Sequence, residues 1–350
     1  MHPTAALPPR DPDFEQFLRV LERRERPAHL PFYEHLASHG FIAARLGISV
    51  DELYADQRRF WEHYVEFWKS LRFDCIPLEI PLNCPLADAG AAGATFGSEA
   101  RAVIHSRADF DAYPWPEPGR EIDFQPFEIV SALLPDGMKI VAGVAMGPFE
   151  WVSEMMGVAG LCRAVLRDPA LVEVMFERLG ALIVAANRHL VRLPEVGAMR
   201  QGDDLGFKTS TFLSPDLIRQ LILPVYRDMA AVAHEAGKPF ILHSCGNLEA
   251  IYDDLIDDVG IDAKHSFEET ILPVEAFKAR YGDRVTPLGG IDVDLLCRGD
   301  EAEIRHVVRA KIDACFADRF YALGTGNSLT DYMPVQNYLI ALEEAWRYTS

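Results

Sequence analysis

Short apolar runs recur along this chain, and each stops at glycine, proline or a polar residue. They fall near 30–33, 75–80, 139–146, 197–203, 239–245, 261–265, 285–289 and 319–324. Their length and flanking breakers read as buried strands. Between them the apolar positions switch to helical spacing. Phe14, Phe17, Leu18 and Leu21 form one such face, with Asp13 as N-cap and Pro27 as stop. Leu53, Phe60, Trp61, Tyr64, Phe67 and Trp68 form the apolar side of a long helix over 51–71, an aromatic stripe that reads as core. Further helices are expected over 125–134, from near 150, and over 168–193, 226–235, 249–259, 273–281, 301–316 and 335–347, with another opening at Ser214-Pro215. Strand alternating with helix predicts a parallel sheet with helices outside. Eight such units predict a closed (β/α)8 TIM barrel. A doubly wound open sheet is the runner-up. It would want a glycine fingerprint after its first strand, and PFYEHLASHG is not one.

Two stretches break the alternation. Residues 1–12 are rich in proline and small residues and read as a flexible lead-in, which leaves 13–350 as a single barrel domain. Residues 83–120 read as an insertion, β-like from Ala102 to His105. Pro114, Pro116 and Pro118 exclude regular structure near its end. Tyr113 and Trp115 would either form a homodimer contact or line a loop.

Charge narrows the partners. Lys and Arg number 34 against 53 Asp and Glu, a formal charge of −19. Such a chain repels phosphate backbones and anionic lipid, which argues against nucleic acid and membrane partners. No run approaches the roughly 20 apolar residues of a membrane helix. The start, MHPTAALPPRDPDF, is not a signal peptide. The six cysteines are scattered without a CxxC pair, which points to reduced thiols in the cytoplasm.

The chemistry gathers where the apolar runs end. Glu34 and His35, Glu79, Asp203 and Asp204, His243 and Cys245, His265, Asp292, and Thr325 with Asn327 all stand at carboxyl ends of expected strands. In a barrel that is the catalytic face. Strand ends are polar anyway because loops begin there, but grouping Asp, Glu, His and Cys is costly unless they bind something. The most informative stretch is KPFILHSCGN, 238–247. His243 and Cys245 are two residues apart and so share a strand face, about 6–7 Å apart along the backbone. A lone His-x-Cys also describes a core cysteine beside a hydrogen-bonded histidine. With an inward carboxylate, the pair instead makes three zinc ligands and leaves a fourth position open. Adjacent strand residues face opposite ways, so at most one of Asp203 and Asp204 serves. Asp203, Asp204 and His243 are the catalytic candidates. Glu34, Glu79, His265, Asp292, Thr325 and Asn327 are the expected substrate contacts.

The blocks GDDLGF (202–207), Ser214-Pro215, FILHSCGN (240–247), YGDRVTPLGGID (281–292) and LGTGNSLTDYMPVQNY (323–338) resemble, in order and spacing, the uroporphyrinogen decarboxylase superfamily. The resemblance covers most of the chain and implies a (β/α)8 barrel. One branch decarboxylates uroporphyrinogen and carries an arginine-bearing segment after its first strand. Here that position reads FYEHLASHG, with no arginine before Arg45. An octa-acidic substrate facing Glu34 and Glu79 would be mismatched. The other branch comprises zinc-dependent methyltransferases that work with corrinoid proteins. Its zinc motif is His-x-Cys, a distant cysteine and a nearby acid. His243 and Cys245 match the first part, and Asp203 or Asp204 would be the acid. The distant cysteine falls at or near Thr325, so the third sulfur is missing here. Cys297 and Cys315 sit on or near an expected outer helix and are poor replacements.

The resemblance implies a zinc-assisted methyltransferase that moves a methyl group between a small methylated or thiol substrate and a corrinoid protein. A metal-free decarboxylase acting on a small acid is an alternative, with Asp203 or Asp204 handling the proton beside His243. A non-catalytic small-molecule-binding barrel is the third reading.

Overall fold

The computed structural model of the chain describes residues 7–88, 90 and 95–349. Six parallel strands pair in sequence order: β1 Cys75–Pro81, β2 Lys139–Ala145, β3 Val196–Gly202, β4 Phe240–His243, β5 Ala263–His265 and β6 Thr286–Leu288. The first and last expected strands are present as staves held by isolated parallel bridges. Phe32 pairs with Leu323, and Ala322 pairs with Leu288 of β6. Leu323 bonds both ways across that seam: its N–H donates to Pro31 O at 3.0 Å, and its carbonyl accepts from Tyr33 N at 2.9 Å. Pro31 has no N–H to extend the ladder.

The inside of the barrel is a separate apolar cluster to which every stave contributes. Tyr33, Cys75, Val141, Ala198, Ile241, Ala263, Leu288 and Ala322 meet there, and Phe14, Phe17 and Leu21 of the helix Phe14–Glu22 join them. The outward residues of the same strands, such as Ile140, Met199 and Leu242, join the larger cluster with the surrounding helices. This is the (β/α)8 TIM barrel that the alternation predicts. Counting in twos from the interior layer carries each stave to the barrel's upper end. The inward row then reads His35, Glu79, Gly143, Arg200 and Gly202, His243, His265 and Gly324.

The helices follow the apolar spacing with some corrections. The long helix over 51–71 is two pieces, Val50–Leu53 and Gln57–Ser70. The second restarts at Asp56, whose carboxylate caps Arg59 N at 3.0 Å. Its Trp61, Tyr64, Phe67 and Trp68 are buried, as the stripe predicts. The stretch 249–259 is a 3-10 turn, Glu249–Ile251, followed by the π-helical turn Asp254–Val259. The short helices His39–Leu46, Arg107–Ala112 and Val293–Arg298 lack enough turns to show a period and were not expected.

The described residues of 83–120 leave the barrel between β1 and the helix Gln125–Leu133, with an antiparallel bridge, Leu82 to Ile122, at the neck. Ala102–His105 is not a strand. Val103 and Ile104 donate to the carbonyl of Met155 at 2.8 and 2.9 Å, so this extended run docks on a helix end instead of pairing. Tyr113 and Trp115 pack on each other at 4.6 Å, and Arg178 lies over the indole. In the expected lead-in, residues 1–6 lie outside the described residues. Leu7 is buried, and Arg10 pairs with Asp74 at 3.1 Å. Among the described residues no helix is long and apolar enough to cross a membrane.

Candidate functional site

The inward row brings three chemistries together at the upper end of β4. His243 Nε2 lies 3.5 Å from Cys245 Sγ and 3.8 Å from Asp204 Oδ1. One donor atom from each of these three residues falls within 4.8 Å of the others. A carboxylate, an imidazole and a thiol form a donor set that zinc takes. Two further donors point at the sulfur, Asn327 Nδ2 at 3.2 Å and Ser266 Oγ at 3.3 Å. Ser266 holds φ at +80°, in the left-handed region that a non-glycine residue seldom occupies. Such strain gathers at functional sites. Burial first, and then the neighbouring Asp204, push the Cys245 thiol well above its ordinary range. A cation between thiol and carboxylate would reverse that push, so the residues present fit the zinc that the family resemblance implies.

Period-two geometry separates the two aspartates. Arg200 and Gly202 face inward, so Asp203 faces out and Asp204 returns to the site. Asp203 is buried and accepts from Phe149 N at 3.1 Å, Glu150 N at 2.9 Å and Tyr226 OH at 2.8 Å. It caps the helix Pro148–Met156, and a Cβ on Gly147 would run into it. Burial raises its carboxyl to about 7 against those hydrogen bonds. The acidic member of the donor set is Asp204.

Histidines stack behind this group. His35 lies over His243 with ring centres 3.7 Å apart, and His243 Nδ1 meets His265 Nδ1 at 2.7 Å. Burial, followed by neighbouring positive groups, pushes His35 and His243 well below their ordinary range and His265 to about 3. Arg200, fully buried, reaches Glu79 with one nitrogen and with the other reaches the His35 carbonyl and Nδ1, the latter at 2.9 Å. It therefore ties β3 to β1 and to the first stave. Gly143 makes room for it, since a Cβ there would collide with the Arg200 carbonyl.

Three expected substrate contacts sit behind the cavity. Glu34 has outward parity and accepts from Thr325 N at 2.7 Å, Thr325 Oγ1 at 2.5 Å and Tyr338 OH at 2.9 Å. Burial raises it to about 8 despite these donors. Thr325 is thus turned toward Glu34 and away from Cys245. His265 spends both nitrogens on protein, one on His243 and the other on Thr325 O at 3.2 Å. Glu79 and Asn327 do line the space above His243, a cavity of about 250 Å3 that also touches His35, Met146, Glu150 and Asp204. Through Asn327 and Ser328 it adjoins a wider one of about 520 Å3, bordered by Glu268, Glu269, Asp292 and Asp294. Asp292 lies there, away from the donor set, and caps Asp294 N at 2.7 Å. Among the described residues no Lys or Arg lines either space.

Arg200, Glu150, Ser266 and Lys264 belong to the site's surroundings although the strand-end pattern does not single them out. Arg200 sits inside an apolar strand, and an arginine at such a position was a usable signal. Glu150 lies one helical step past Gly147-Pro148. Burial, Asp203 and Asp204 raise its carboxyl to about 9. Lys264 is buried under Phe267, 4.4 Å from the ring centre, and burial lowers it to about 8.

One solved structure, a methyltransferase from Methanosarcina mazei, is similar at 17% identity with a TM-score of 0.71, covering 95% of this chain and 97% of its own. A putative vitamin-B12 independent methionine synthase from Listeria monocytogenes aligns at 11% identity and a TM-score of 0.47, over 91% of this chain and 95% of its own. No curated protein matches in sequence. The family model for uroporphyrinogen decarboxylase (URO-D) matches residues 13–348. A barrel whose strand ends carry this site, matched over nearly its whole length, belongs to the URO-D family.

Proposed function

We propose that this chain is a methyltransferase in which Asp204, His243 and Cys245 hold zinc and a corrinoid protein is the methyl partner. The observation that carries this reading is the meeting of carboxylate, imidazole and thiol within 4.8 Å, where Asp204 and His243 line the barrel-mouth cavity. Zinc bound there would act as a Lewis acid on a sulfur or oxygen of the substrate. The chain's own part is positional. His35 packs on one face of His243 and keeps water from it. Asn327 and Ser266 direct N–H and O–H donors at the Cys245 sulfur. Glu150, whose carboxyl is pushed up by burial and by Asp203, lines the cavity where a substrate atom would lie. The description of the similar methanogen structure as a methyltransferase is in keeping with this reading. A substrate rich in carboxylates would find no lysine or arginine among the described residues lining the cavity, which favours a neutral methylated compound over the small acid of a decarboxylase.

Metal content and methyl transfer to free cob(I)alamin from a set of methoxylated and methylthio compounds test the proposal. Zinc near one equivalent per chain, lost together with activity in Cys245→Ala, is the expected result. Purified protein without metal and without rescue by added zinc would overturn it. Carbon dioxide release from an acid, indifferent to chelator, would establish the decarboxylase reading instead.

A further inference from the structure

His243 serves the donor set only if its Nε2 carries a lone pair and its proton sits on Nδ1. The structure contains a chain of contacts that decides this. It begins at the carbonyl of Thr325, an oxygen that can only accept. That carbonyl is fixed from several sides: Gly290 N donates to it at 3.0 Å, while the amide and hydroxyl of the same residue donate to Glu34. Tyr338, from the helix Val335–Thr349, holds Glu34 in turn. His265 Nε2 lies 3.2 Å from the carbonyl and must present its N–H to it. His265 is fully buried, and its two nitrogens meet the Thr325 carbonyl and His243, neither of which supplies a negative charge to pair with a second proton, so the ring is uncharged. An uncharged His265 that is protonated on Nε2 has a bare Nδ1. That atom is 2.7 Å from His243 Nδ1, and one proton must lie between them. It comes from His243.

We propose that His265, backed by the Thr325 carbonyl, is the positioning residue that places the proton of His243 on Nδ1 and leaves Nε2 bare toward Cys245 and Asp204. The proposal deepens the zinc-site reading and rests on it for its consequence, though the proton placement itself holds without metal. It also gives the loop after the last stave a task. That loop supplies no sulfur, but its carbonyl sets the ligand nitrogen from behind.

Two measurements test this. Long-range 1H–15N spectra of metal-free, histidine-labelled protein report which ring nitrogen is protonated, with His243 and His265 identified by His243→Asn and His265→Asn. Nδ1–H on His243 and Nε2–H on His265 are expected. Nε2–H on His243 would overturn the proposal, whatever the metal result. Zinc affinity by chelator competition is the second. His265→Phe, which removes the acceptor, should weaken binding about 10–100-fold. His265→Asn, whose side-chain oxygen can take the His243 proton, should restore most of it. A folded His265→Phe protein with parental affinity would overturn the proposal, and if that variant fails to fold the spectra decide. Parent protein with the expected proton placement but no zinc binding would sink the proposed function and leave this assignment standing.

Discussion

Asp203 and Asp204 are neighbours in sequence with opposite duties. Asp203 answers three buried donors, and an amide in its place would turn an N–H toward at least one of them. Asp203→Asn should therefore cost about 1–3 kcal/mol of stability, read by denaturant unfolding, and leave zinc content intact. Asp204 is 40% exposed in its side chain and accepts from Cys245 N at 3.0 Å. Asp204→Asn should leave unfolding nearly unchanged and weaken zinc in the same chelator competition. Equal effects of the two substitutions on zinc would contradict the parity assignment. The motif GDDLGF is legible in the sequence. Which aspartate turns inward is not, because both faces of β3 are buried and the strand shows no polar side.

At the scale of elements, the loop after the last stave matters most. Thr325 points at Glu34, and Asn327, two residues on, points at the Cys245 sulfur. A cysteine introduced at each position should behave differently. Thr325→Cys loses a hydroxyl donor to a buried carboxyl and should cost about 1–3 kcal/mol without raising zinc affinity. Asn327→Cys places a second sulfur beside the first and should tighten zinc. Chelator competition on both variants checks this, and tighter binding by Thr325→Cys would mean the loop is misplaced. The expected site lost Glu34, His265 and Thr325 from its lining for one reason. A strand end shows which residue types arrive at the barrel mouth, but not which are spent on holding its staves together.

For the whole molecule, acidic groups converge on one face of a barrel, and their cost appears in stability. Glu150 has a folded value of about 9 against an ordinary value of 4.5. Between these values the folded chain keeps a proton that the unfolded chain has released. Stability of the metal-free protein should then fall as pH rises through this window. Glu150→Gln should flatten that fall, measured as urea unfolding at several pH values. A variant whose pH dependence matches the parent would show Glu150 ionised in the folded state. Zinc at Asp204 and Cys245 would oppose the effect, so the measurement needs chelated protein.

The alternation of strand and helix, hence the barrel, is legible in the order of residues alone, because burial on both faces leaves short apolar runs and helical burial leaves a period. The same order also determined which residues stand at the strand ends, since an apolar run must stop where the loop meets water. It could not show the short helices, the split of 51–71, or the docking of Ala102–His105, each of which depends on partners distant in the chain. The inward parity of each stave is set by packing between staves far apart in the chain. That one choice turns His35, Glu79, Arg200, His243 and His265 into the interior and Glu34, Asp203 and Thr325 away from it. His-x-Cys at 243 and 245 is readable as a pair; the carboxylate that completes it and the histidine that orients it become visible only where the staves meet around a common interior.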